Sequence, residues 1–260
     1  MGYVPAPVHG GATIDRLGKA DLHIHSAVGD GLGSVREILD YVEHETDLDV
    51  IAITDHDDVR GALEARDLVA GGGRRFEVIT GTEITTRQGH LLAYGVERRF
   101  PMFRSMGDSI AEVHDAGGWV VVPHPLSWLT LSAGERTLRR LVGGAERRRV
   151  PDAIELFNPS VAGRIAHRRA IELNRTALGL AATGGSDAHH LRLIGTARTC
   201  FPGRCAADLR DALRAGLTRP EGRFWSRSDH IDRFFEQQWR AMVLGPGQKI
   251  ARALDRSGSR

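Results

Sequence analysis

Short, nearly continuous apolar runs alternate with stretches of helical periodicity from residue 20 to about residue 217. The runs are Ala20–His25, Val50–Thr54, Phe76–Thr82, His90–Val96, Trp119–Pro123, Ala153–Phe157 and Leu180–Gly184. Being mostly apolar at successive rather than alternate positions, they read as strands buried on both faces. Between them, Ser34–Glu45, Val59–Ala70, Ser105–Ala116, Glu135–Val142, Ile165–Leu178 and Ala206–Ala215 read as helices. Ser34 followed three residues later by Glu37 is a capping-box start. Gly117-Gly118, Gly179 and Gly216 stand where helices stop in a left-handed residue. Seven strands alternating with helices predict an α/β chain with a parallel sheet closed into a barrel. The His90 run follows its predecessor too closely for a helical crossover, so residues 84–89 predict a tight turn and a local irregularity. Residues 221–260 leave the pattern. Phe234, Phe235 and Trp239, then a Gly-Pro-Gly and a basic end, predict a C-terminal helix and a frayed tail. The expected organisation is an extension over 1–19, one domain over 20–220, and the helix and tail over 221–260.

The ends of the apolar runs carry the chemistry. His23 and His25 are two apart, so a strand presents both on one face. The second run ends in Asp55-His56-Asp57-Asp58, the third in Gly81-Thr82-Glu83, and the fourth opens with Gly89-His90. The fifth ends in His124 and the seventh in Asp187-Ala188-His189. Capping of the next helix accounts for one aspartate of the second cluster but not for Asp55 or His56. Active sites of (β/α) barrels lie at the C-terminal strand ends, so this recurrence of His, Asp and Glu predicts a metal site there. Imidazole and carboxylate without cysteine suit Mn, Fe, Zn or Co. Eight or more ligands exceed what one ion takes, so two or three divalent ions are expected.

The ordered series Asp21-Leu22-His23-Ile24-His25-Ser26, Thr54-Asp55-His56-Asp57, Gly81-Thr82-Glu83, His124-Pro125 and Gly185-Ser186-Asp187-Ala188-His189 resembles the PHP (polymerase and histidinol phosphatase) family. The resemblance covers about residues 20–217 and implies a distorted (β/α)7 TIM-like barrel with a trinuclear centre. It implies His23, His25, Glu83 and Asp187 on one ion, Asp30, His56 and His189 on a second, and Glu83, His90 and His124 on a third. Asp30 is matched through Gly29-Asp30-Gly31, where many relatives have Ser-Asp-Gly. The long insertion of the nucleoside-bisphosphate branch is missing, which argues against a nucleotide substrate. Three divalent ions against the carboxylates of Asp30, Glu83 and Asp187 would leave a positive site that attracts phosphate. A bridging water of lowered pKa, flanked by Glu83, His124 and Asp187, would then supply a hydroxide nucleophile. Asp21 and Asp55 are expected to orient imidazoles. Asn158, Arg60, Arg164 and Arg192 are candidates to bind substrate.

Composition changes this picture little. Apolar residues at 41% and charged residues at 26% describe an ordinary globular chain, and the net charge is +2. Only Lys19 and Lys249 are lysines, so nearly all positive charge is arginine. With 6% aromatics and so small a charge, a nucleic-acid surface is disfavoured, although the run Arg136–Arg149 argues the other way. Cys200 and Cys205 have no zinc-motif spacing and are expected to be reduced thiols. No signal peptide or membrane-spanning run is visible, so a cytoplasmic location is expected. The expected function is phosphomonoester hydrolysis on a small phosphorylated substrate. The alternatives are a nuclease or other phosphodiesterase, a non-catalytic metal domain of the same family, and hydrolysis of a non-phosphate ester or amide.

Overall fold

The computed structural model describes residues 17–226, and the expected C-terminal helix around Phe234 and Trp239 lies outside the described residues. Nine strands form one sheet: β1 (Gly18–Ile24), β2 (Val50–Ile53), β3 (Glu77–Thr86), β4 (Gly89–Tyr94), β5 (Trp119–Val122), β6 (Ala153–Phe157), β7 (Ala181–Gly184), β8 (Ala197–Phe201) and β9 (Arg219–Gly222). Their order is β7-β6-β5-β4-β3-β2-β1-β8-β9. Strands β1 to β3 are parallel, as are β5 to β7, while β4 runs antiparallel to both β3 and β5. This is the expected irregularity: β3 continues to Thr86 and turns back at once into β4. The sheet curls into a nearly closed, distorted barrel. A parallel bridge between Ile24 and Ala188 joins the chain beyond β7 to the end of β1. His25 N donates to the Ala188 carbonyl at 2.9 Å there.

Strands β8 and β9 are additions to the seven expected. Arg198 and Thr199 interrupt the apolar run of β8, and β9 reads Arg-Pro-Glu-Gly. Such a strand survives at a sheet edge, where Pro220 costs no ladder bond.

Six α-helices follow the expected positions: α1 (Val35–Glu45), α2 (Arg60–Ala70), α3 (Met106–Asp115), α4 (Glu135–Val142), α5 (Val161–Leu173) and α6 (Ala206–Arg214). Serine caps explain three of the starts. Ser34 and Glu37 close a capping box, and Ser105 and Ser160 accept from Asp108 N and Gly163 N. Helix α5 continues as a wider π turn over Asn174–Leu178 and stops at left-handed Gly179. No helix among the described residues is long and apolar enough to cross a membrane.

The apolar core has three parts. Helices α1 and α2 pack Val35, Leu39, Ala62 and Ala65 against Ile51 and Ile53. Helices α3, α4 and α5 pack Ile110, Leu138 and Ala170 against Leu91, Val120 and Ile154. Leu22, Ile79, Tyr94, Trp119, Val121 and Phe201 form a third cluster, to which α6 adds Leu209 and Leu213. Register slips in β1 between Asp21 and Ile24. Such a bulge lets Leu22 face the core while His23 and His25 both face the site. The Leu22 carbonyl, left out of the ladder, accepts from the Tyr94 hydroxyl at 2.7 Å.

Candidate metal centre

The strand ends bring nine side chains into one cluster at the C-terminal mouth of the barrel. At its centre is Glu83, a carboxylate only 1% exposed. Its Oε2 lies 3.2 Å from His23 Nε2, 3.2 Å from His25 Nε2 and 3.4 Å from His56 Nδ1. Its Oε1 lies 3.0 Å from His90 Nδ1 and 3.3 Å from His124 Nε2. Asp187 Oδ1 is 3.5 Å from both His23 Nε2 and His25 Nε2. Asp30 Oδ2 is 3.3 Å from His189 Nε2 and 3.9 Å from His56 Nε2.

Four overlapping sets offer one donor each within reach of a single ion: His25, Asp30, His56 and His189; His23, His124 and Asp187; His23, His25 and Glu83; and His56, Glu83 and His90. The structure thus gathers the eight donors read from the strand ends and Asp30, which only the resemblance implied. Its groupings cut across those implied by the resemblance, with His25 beside Asp30 as well as Glu83, and His124 beside His23 and Asp187. A neutral imidazole has one free lone pair, so His25 and His23 each serve one ion at a time.

The donors fit divalent cations. Among the described residues, nine buried side-chain polar atoms have no hydrogen-bond partner. Five of them are here: His25 Nδ1, His25 Nε2, Asp30 Oδ1, His56 Nδ1 and His90 Nδ1. Orphaned buried donors and acceptors are costly, and a cation binding their lone pairs removes the cost. Two of the residues sit on strained backbone, with φ of +29° at His124 and +54° at Asp187. Non-glycine residues held in that region mark functional sites more than structural ones.

The carboxylates and three of the imidazoles favour one another's charged forms. Burial opposes charge on Asp30, Glu83 and Asp187, but the imidazoles around them hold all three below the usual carboxylate range. Burial likewise opposes protonation of His25, yet Asp187, Glu83 and Asp30 raise its pKa to about 10 from an ordinary 6.5. His23 and His189 are raised in the same way. Burial dominates at His56, which falls to about 4. The stability that His25 contributes to the metal-free protein is therefore fully present below pH 6.5 and lost as pH rises through about 10. Cations must displace those protons, so binding of Mn²⁺ at pH 7.5 is expected to release protons. Calorimetry in buffers of different ionisation enthalpy measures this. An apparent binding enthalpy independent of buffer would contradict it.

The shell beneath differs from expectation. Asp21 does not orient an imidazole. Its carboxylate accepts from the backbone of Ser186 at 2.9 Å, Gly195 at 2.8 Å and His23 at 3.3 Å. Burial pushes its pKa up to about 6 despite those bonds. Asp55 accepts from Ser26 N and Oγ, both at 2.6 Å. Both aspartates fix the loops that carry the donors. The carboxylate that does orient an imidazole is Glu155, which strand-end reading missed. Its Oε1 is 3.1 Å from His23 Nδ1, and its Oε2 accepts from His124 N at 2.9 Å and Asn158 Nδ2 at 2.8 Å. The signal was one glutamate inside the otherwise apolar Ala-Ile-Glu-Leu-Phe of β6.

The four candidate substrate residues fall in different places. Asn158 is buried, and its Nδ2 also reaches Asp187 Oδ2 at 3.3 Å while its Oδ1 accepts from Ser160. It ties two carboxylates together. Arg60 is held by Asp58, through Nε at 3.1 Å and Nη2 at 2.8 Å. Arg164 is exposed on α5 with its guanidinium 5.3 Å from the Phe224 ring, and Arg192 is exposed on a short turn after His189.

Gly185 shows how tightly this shell is built. A Cβ there would lie 2.5 Å from Glu155 Oε1 and 2.7 Å from His23 Cβ. Gly185→Ala is expected to destabilise the protein by about 1–3 kcal/mol, the usual cost of overpacking, and to weaken metal binding. Urea unfolding with and without Mn²⁺ checks this, and parental stability in both conditions would contradict it.

Comparison with known proteins bears on the family and the fold. A family model described as PHP-associated matches residues 164–218. The uncharacterized protein MJ1587 of Methanocaldococcus jannaschii is 32% identical over 139 residues, covering 49% of this chain and 80% of that protein. A phosphoribosyl 1,2-cyclic phosphate 1,2-diphosphodiesterase of Eggerthella lenta is 28% identical over 106 residues, covering 38% of this chain and 39% of that enzyme. The fold is shared with a two-domain protein from Bacteroides vulgatus containing a predicted PHP-like metal-dependent phosphoesterase. The TM-score is 0.63 at 22% identity, over 85% of this chain and 70% of that one. Fold, strand-end donors and relatives agree: the chain belongs to the PHP domain family.

Proposed function

We propose that this protein is a metal-dependent phosphoesterase that hydrolyses a phosphomonoester of a small molecule. The observation that carries the reading is Glu83, a buried carboxylate with five imidazole nitrogens within 3.4 Å. Divalent ions at this cluster, two or three of Mn, Fe or Zn, would supply a water of lowered pKa as nucleophile and neutralise charge developing on the phosphoryl group. Glu83 would bridge them, with His124 and Asp187 beside it. His23, His25 and Glu83 form the buried floor. Asp30, His56, His90 and Asp187 retain some exposure, which gives the substrate its side of approach. Ser132 Oγ, 2.8 Å from His124 Nδ1, fixes that ring so that Nε2 faces Glu83.

Nucleic acid fits less well. In the run Arg136–Arg149, Arg139 pairs with Glu135, Arg148 with Asp115, and Arg149 with Asp108 and Glu146. With three of its six arginines paired to carboxylates, the run presents less free positive charge than the continuous stripe a phosphate backbone requires. A phosphodiester substrate is the second reading, favoured by the name of the Eggerthella relative. Assay of Mn²⁺-loaded protein on phosphomonoesters, bis-p-nitrophenyl phosphate and short oligonucleotides separates these. Monoester turnover is expected, and diester turnover alone would move the assignment to the second reading.

A further inference from the structure

The loop between β5 and α4 stands at the mouth of the cluster and is fastened to it. His124 begins the loop, and Leu126 N donating to the Ala133 carbonyl at 3.0 Å closes its base. His90 N donates to the Leu131 carbonyl at 2.9 Å, and Ser132 Oγ lies 2.8 Å from His124 Nδ1. A Cβ on Gly89 would come within 2.4 Å of Ala133 N, so the β3–β4 hairpin lies directly against the loop. Two candidate metal ligands thus hold this loop in place.

Its tip is nonetheless apolar and open. Trp128 is 74% exposed, Leu129 47% and Leu131 43%. Residues 123–134 contain no Asp, Glu, Lys or Arg. After the neighbouring strand β6, helix α5 starts with Val161, also exposed, three residues beyond buried Asn158. An exposed aromatic and two leucines on a loop whose base is anchored at a charged centre are a recognition surface more than a packing defect. No charged side chain on this loop would meet a second phosphate or a polynucleotide backbone.

We propose that Trp128, Leu129 and Leu131 form the leaving-group subsite, which takes an apolar, aromatic alcohol moiety while its phosphate occupies the cluster. This rests on the phosphoesterase reading. It deepens it by naming the substrate class: an aryl or similarly planar, apolar phosphate ester. An indole face offers such a ring offset stacking, and the leucines cover its edge.

The test compares full-length, Mn²⁺-loaded parent, W128A and W128F on 1-naphthyl phosphate and glycerol 3-phosphate. The kcat/KM ratio of naphthyl to glycerol ester is expected to fall about tenfold in W128A, through KM, and to recover largely in W128F. Calorimetry with 1-naphthylphosphonate should show a matching, about tenfold weaker Kd for W128A. Equal loss on both esters would make the loop merely structural and overturn the subsite. So would an unchanged ratio with W128A converting a dimer to a monomer, which would assign the surface to a second copy of the chain. If the parent hydrolyses neither ester, the phosphoesterase reading fails. Phosphonate affinity insensitive to W128A would separately remove the subsite.

Discussion

Replacing Glu83 with glutamine is expected to lower phosphoester turnover by about 10³-fold, the effect of losing several kcal/mol of charge stabilisation. The reason is its position. One side chain stands between five imidazoles, its two oxygens facing His23, His25 and His56 on one side and His90 and His124 on the other. Glutamine keeps the shape but loses the charge and one acceptor, so ions on either side lose their common ligand. It also leaves a buried amide donor facing ring nitrogens. The loss should fall in kcat as well as kcat/KM, with bound metal per chain reduced. Turnover within tenfold of the parent would show that Glu83 is a structural carboxylate.

Glu155→Gln should come next in size, acting on metal binding before chemistry. Glu155 lies 3.1 Å from His23 Nδ1 and holds the strained backbone of His124 through an N–H bond of 2.9 Å. It fixes which His23 nitrogen carries the proton, leaving Nε2 free for a cation. Removal of such orienting partners costs about 10–100-fold in metal affinity or activity. Mn²⁺ affinity is therefore expected to fall by that factor, with kcat recovering in part at saturating metal. The Co²⁺-substituted protein offers a second measurement, since a reoriented His23 changes its visible spectrum. An unchanged affinity and spectrum would reduce Glu155 to a packing residue.

The strands and helices that carry the site were legible because both faces of β1, β2, β5 and β6 are covered, leaving unbroken apolar runs. Most donors were legible for a related reason: they stand at an end of such a run at the barrel mouth, where packing does not explain them, and Asp30, off the runs, needed the family resemblance. Strands β8 and β9 were not, because Arg198, Pro220 and Glu221 give them no periodicity. Glu155 was hidden inside a run read as wholly apolar. Arg60 looked free because its chelation by Asp58, two residues earlier, is a matter of rotamer and not of pattern. Asp21 and Asp55 were expected to orient imidazoles. Their targets are backbone amides and a serine, which only the folded loops bring within reach.

The most direct test of the central claim is phosphate release from a phosphomonoester by one preparation, assayed as purified, after chelation, and after return of Mn²⁺. The expected result is loss of activity with the metal and recovery once two or three ions per chain are bound, by elemental analysis. Full activity in the metal-free protein, or no phosphate release with the ions restored, would contradict it.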